Sequence, residues 1–278
     1  MSQALDFDLS GITLRLAAVP PASAERLSAE WTTYASHGEP SPFLEIEIRP
    51  DRIEPPSSSF EPKAMLSRFS GAEALFELPE GRARVHRDGR GTVDLARDLG
   101  IREFFTLMNF IRASLAWCLP SRGAALLHAA GLVLDGRGFV LAGAANSGKS
   151  TWARLGEERG GIVISDDLVL VDATPDGHAL LGAPFRSTHK TLFRKERWPL
   201  AGILFPDHGP SPSISSVAPI VAKARIAANL TFIADAVQSD DRVPALIDDL
   251  ATRTPCAQLT FAPDAGFVET LRAWPGPV

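Results

Sequence analysis

Between the apolar run Gly138-Phe139-Val140-Leu141-Ala142 and the helix-compatible segment Thr151-Trp152-Ala153-Arg154-Leu155 stand eight residues, G-A-A-N-S-G-K-S, from Gly143 to Ser150. They satisfy the pattern G-x-x-x-x-G-K-[ST]. The order strand, loop, helix constrains the chain strongly: it leaves a strand end, turns through angles that glycine enters freely, and starts a helix at once. Such a loop turns successive N–H groups inward at the positive end of a helix dipole, which makes a cradle for phosphate oxygens. Gly143, Ala144, Ala145, Asn146, Ser147 and Gly148 form the turn, Lys149 offers a cation to terminal phosphates, and Ser150 offers a hydroxyl to Mg²⁺.

The remaining composition excludes several classes. The 278 residues are 45% hydrophobic and 22% charged, enough for a sizeable core in one large or two modest domains. A net charge of −5 gives no general basic field, so nucleic acid and anionic membranes are not expected partners. Cys118 and Cys256 lie far apart and without C-x-x-C spacing, so neither a disulfide framework nor a zinc site is expected. The segment Met1 to Leu9 carries two Asp and no Lys or Arg, unlike a secretory signal, and no run of about 18 apolar residues could span a bilayer. The expected location is cytoplasmic.

Alternating apolar and polar residues predict half-buried strands at Ile12–Leu16 and Leu44–Arg49, with a helix between them over Ala22–Ser36. Pro50–Pro62 is rich in Pro and Ser and reads as a loop; short strands follow at Ala74–Leu78, Arg82–Arg87 and Gly91–Leu95. Phe104, Leu107, Met108, Ile111, Leu115 and Cys118 recur at helical spacing, predicting a core helix over Ile101–Cys118 that Pro120 stops. A boundary near Leu119–Gly123 separates an N-terminal domain (1–120) from a nucleotide-binding domain (121–278). In the latter, strand Ala125–Leu134, a turn at Asp135–Gly138, the loop-bearing strand and helix, and strand Ile162–Ile164 lead to Ser165-Asp166-Asp167 and a further strand at Val169–Val171. An apolar strand ending in acids beside a P-loop can deliver a carboxylate to a metal.

The stretch from Leu126 to Val171, with His128 before the turn, the P-loop at 143–150 and the pair Asp166-Asp167, resembles HPr kinase/phosphorylase and related kinases. That resemblance implies an α/β (α+β) fold of the phosphoenolpyruvate carboxykinase/HPr-kinase-like P-loop type, preceded by a smaller α+β N-terminal domain. It implies ATP and Mg²⁺ as cofactors, with Gly143 to Thr151 on the phosphates. Asp166 matches the family's general base, Asp167 a metal ligand, and His128 a histidine near the transferred phosphoryl group. Arg186, in a segment where relatives close a loop over the site, could clamp phosphate through its planar fork.

The implied activity is that of an HPr-kinase-like serine kinase, transferring the γ-phosphate to a hydroxyl of a protein or ribosomal peptide. A non-catalytic ATP or GTP switch and a small-molecule kinase are the alternatives. No glutamate after the acidic pair matches the additional metal-binding acid of HPr kinase, and its C-terminal signature is absent, which argues against HPr itself as substrate. His178, His189 and His208 lack metal-ligand spacing and read as surface or loop residues. Lys190, Arg194, Lys195 and Arg197 read as a solvated charged face. Whether several copies of the chain assemble is left open.

Overall fold

The computed structural model describes residues 3–36, 41–54, 64–185, 194–238 and 240–275. The chain divides into two compact units, one of Met1–Ser121 with Asp235–Asp241 and one of Arg122–Ala234 with Arg242–Val278.

The first unit is built on strands β1 (Gln3–Asp8), β2 (Thr13–Val19), β3 (Leu44–Ile53), β4 (Leu66–Ser70), β5 (Glu73–Leu78), β6 (Gly81–His86) and β7 (Arg90–Ala96). They form one open sheet in the order β1-β2-β3-β7-β6-β5-β4, with β3 parallel to both of its neighbours. Helix α1 (Pro21–Glu30) starts on Pro21, whose fixed φ suits a first helical residue. It is shorter than the expected Ala22–Ser36, because the chain tightens into a single 3₁₀ turn at Thr32–Tyr34. Helix α2 (Ile101–Cys118) has the expected span and buries more than one stripe: Phe110, Ala113, Ser114 and Trp117 are enclosed as well. A helix apolar on nearly all sides belongs inside a core. Strand β3 runs on through Pro50 to Ile53, where a loop was expected, and 55–63 lie outside the described residues. Arg87 is buried, with its guanidinium 3.3 Å from the Trp117 ring centroid and ion-paired to Asp240.

The second unit contains β8 (Ala125–Leu134), β9 (Arg137–Ala142), α3 (Lys149–Glu158), β10 (Ile162–Ser165), β11 (Leu168–Thr174), β12 (Gly177–Leu181), β13 (Arg197–His208), β14 (Ser213–Ser216), α4 (Pro219–Asn229), α5 (Arg242–Arg253), β15 (Cys256–Phe261) and α6 (Phe267–Ala273). Its topology overturns the expected carboxykinase/HPr-kinase-like P-loop fold. Strand β8 pairs with β11, β11 with β12, β12 with β13, β13 with β9, and β9 with β8 again, so five strands close into a barrel. The architecture is mixed α+β, about 41% strand and 32% helix. The physical reason is the double use of β8. Its first half, Ala125–His128, bonds β11, while its second half, Ala129–Leu134, bonds β9, so one long strand joins both ends of the ring. Beyond the ring, β13 pairs in parallel with β15, which carries β14 at the edge.

Helix α3 is pinned to this sheet by Trp152, Ala153 and Leu155, which enter a core with Leu132, Phe139, Leu141, Leu204, Leu259 and Phe267. Trp152 stacks on Phe267 of α6 with ring centroids 5.8 Å apart. Gly156 allows a close approach, since a Cβ there would stand 2.5 Å from Leu132 Cδ2. A helix so held fixes the loop at its N-terminus. Among the described residues, no helix is long and apolar enough to cross a membrane.

Candidate functional site

The loop between β9 and α3 takes the backbone form that its sequence requires. Gly148 precedes the helix at φ 93°, and Asn146 adopts φ 63°, a left-handed conformation that Asn tolerates better than most residues. Gly143 is required by contact rather than by angle: a Cβ there would lie 2.6 Å from both Pro206 Cγ and Ser147 Oγ. The Ser147 hydroxyl is buried and has no hydrogen-bond partner among the described residues. Lys149 is 7% exposed, and its ammonium donates to the carbonyls of Gly143 at 2.7 Å and Ala144 at 2.8 Å. Burial lowers its pKa from the ordinary lysine value, against the opposing pull of Asp167 and Asp166.

Register brings the other groups to this loop. Ala142, the last residue of β9, pairs with Ala129, so His128 lies one step beyond the end of β9, where the loop departs. His128 is the one position of β8 that is not fully buried. On the opposite edge of β8, β10 and β11 pair with it in turn, and Asp166-Asp167 form the bend between them, with Ala129 N–H donating to Asp167 O at 3.0 Å. At this bend, two neighbours that would face apart on a straight strand both line one cleft.

That cleft has a volume of about 420 Å³, and it is lined by loop residues Ala145, Asn146, Gly148 and Lys149, by Ser150 and Thr151 of α3, and by His128, Asp166 and Asp167. Asp166 is almost wholly buried, at 3% exposure. Asp167 is more open, and its Oδ1 lies 3.7 Å from His128 Nε2. Burial, followed by the Lys149 charge, lowers the His128 pKa from its ordinary value, with Asp167 opposing. Both effects favour the neutral imidazole over the charged form.

Ser165 is a supporting residue that sequence reasoning passed over. Its hydroxyl accepts from the N–H groups of Asp167 at 3.1 Å and Leu168 at 3.2 Å, and donates to the Phe185 carbonyl. The signal was present, since Ser before two acids is a side-chain-to-backbone turn pattern. Arg186, one residue beyond Phe185, lies outside the described residues, as do His189 and Lys190. His178 was misread as a surface group. It is buried in β12, with Nδ1 2.7 Å from Thr254 Oγ1 and Nε2 3.0 Å from Asp249 Oδ2.

The site fits a nucleotide with its metal. Gly148, in the left-handed region before α3, and the Lys149 ammonium suit phosphate oxygens, while Ser150 and Asp167 offer hard oxygen donors in the same cleft. Among the described residues no group of three or more His, Cys, Asp or Glu could hold a metal alone. Mg²⁺ seldom asks for one, because it keeps several waters and binds through one or two carboxylates plus substrate phosphates. No protein-family model matches the chain, and no curated protein matches it.

Proposed function

We propose that the chain is an ATP-dependent kinase that transfers the γ-phosphate to a hydroxyl, on a serine of a protein or peptide. The observation that carries this reading is the convergence on one cleft of the glycine-rich loop after β9, two adjacent carboxylates between β10 and β11, and a histidine of β8. The likeness of Leu126–Val171 to HPr-kinase-related sequences supports it independently of fold. The loop N–H groups and Lys149 bind and orient the phosphates. Ser150 and Asp167 would hold Mg²⁺, which would neutralise charge on the terminal phosphates. Asp166, the more enclosed acid, takes the acceptor's proton as its oxygen bonds to the γ-phosphorus, the bond to the β-phosphate oxygen breaks, and ADP leaves. His128 offers a hydrogen bond at the transferred group without adding a second cation beside Lys149. A nucleotide switch would need no such base.

The test is phosphoryl transfer to serine-containing acceptors, run beside calorimetric ATP binding. Asp166→Asn is expected to leave ATP affinity nearly intact and to lower transfer by about 10²–10⁴-fold, the usual worth of a positioned base. Activity within about twofold of the parent at unchanged affinity removes Asp166 as the base. Lys149→Ala is expected to abolish the rise in Tm that ATP produces, and an unchanged rise would sink the loop assignment. A parent protein that binds ATP, transfers nothing and is unaffected by Asp166→Asn is a switch.

A further inference from the structure

We propose that the barrel carries a second binding site, at the other end of β13, for a small organic anion on a flat apolar body. A cavity of about 400 Å³ opens there, of a size that accommodates small ligands, and it shares no lining residue with the P-loop cleft. Its β13 wall runs from Arg197 to Leu200, whereas Pro206 of the same strand abuts Gly143 of the P-loop. At about 3.3 Å per residue the two sites are roughly 20–30 Å apart along the strand.

Two guanidiniums line this cavity, and both are tethered to neighbouring groups. Arg197 Nη2 lies 2.9 Å from Asp172 Oδ2, the oxygen that Arg122 Nη2 also approaches at 2.8 Å. One buried carboxylate thus stands against two guanidiniums. Arg253 Nη2 donates to the carbonyls of Thr174 at 2.5 Å and Pro175 at 3.1 Å, and its Nη1 lies 3.4 Å from both oxygens of Asp249. Asp249 is also engaged by buried His178. Planar forks fixed in this way lose little freedom when they grip a carboxylate or phosphate. Trp198 and Leu200, both 8% exposed, and Pro199 form its apolar part, beside the polar Thr174 and His178. That surface suits a flat ring. Asp176, the one acid among the lining residues, is exposed at the hairpin turn, where water screens it. Arg197, which sequence alone places on a solvated face, is therefore a wall of a cavity.

Carboxylate and phosphate heads share the chemistry that these forks recognise, and probes separate them. The full chain is titrated with 2-naphthoate, phenyl phosphate and uncharged 2-naphthamide, and the indole N–H signal of Trp198, assigned with Trp198→Phe, is followed by NMR. At least one anion is expected to saturate in the millimolar range or below and to shift Trp198, while the amides of Gly143–Ser150 stay in place. The amide probe is expected to bind about tenfold more weakly, the equivalent of a lost charge-assisted contact. Arg253→Gln and Arg197→Gln are each expected to weaken the anion about fivefold or more. Arg253→Gln leaves the Asp172 cluster intact, so a folding defect in the other variant does not obscure the result. No saturation by either anion up to about 10 mM, equal affinity for the amide, shifts confined to the P-loop, or unchanged affinity in Arg253→Gln would each overturn the proposal.

Discussion

The open sheet of the first unit and the barrel of the second bury their strands differently. In β3 the buried Leu44, Ile46 and Ile48 alternate with Glu45, Glu47 and Arg49, and in β6 the buried Ala83 and Val85 alternate with Arg82, Arg84 and His86. Each strand has a face that water can reach, so its side chains report its register directly. In β8, nine of ten positions are buried, and His128 alone interrupts them. A strand enclosed on both faces has no neutral side, and its one polar break marks the cleft instead of solvent in general.

The comparison predicts unequal tolerance to substitution. The largest effect belongs to the barrel: Phe139→Ala, at a fully buried position of β9, should cost about 3–5 kcal/mol in chemical unfolding. A cost below about 1 kcal/mol would mean that the interior is not closed as described.

An intermediate effect is expected at His178. Burial sets its folded pKa below the ordinary value, outweighing the opposing pull of Asp249. The unfolded chain then binds more protons, so stability should be level above the unfolded value of about 6.5 and fall as pH drops through it. His178→Phe should be less stable overall and show a flatter Tm profile between about pH 7 and 5. An unchanged slope would place the titrating group elsewhere.

The smallest effect belongs to the open sheet. Arg84→Ala on its wet face should change stability by no more than about 0.5 kcal/mol. A loss comparable to that of Phe139→Ala would erase the distinction between the two sheets.

The same difference explains what could be read in advance. Helix α2 was legible because its apolar spacing and Pro120 are local signals, and the turn from β9 into α3 because contiguous residues carry it. The barrel was not legible. Continuous apolar residues in β8 and β11 do not say which edge meets which partner, and closure depends on β13, which lies some sixty residues after β9. Among site residues, His128, Lys149, Asp166 and Asp167 do meet in one cleft, yet their common direction depends on the bend between β10 and β11, which the D-D pair alone does not announce. His178 was misplaced because its partners, Asp249 and Thr254, are more than seventy residues away in sequence.

The return of Asp235–Asp241 to the first unit sets an order in time. A ribosome adding about 5–20 residues per second exposes Ser121 several seconds before Asp240. During that interval Arg87 lacks the carboxylate that it meets in the finished protein, and the first unit cannot be completed from its own contiguous stretch of chain. A gene cut at the apparent boundary would make that gap permanent. Any fragment meant to reproduce the first unit has to supply residues 235–241, in the same chain or as a separate peptide.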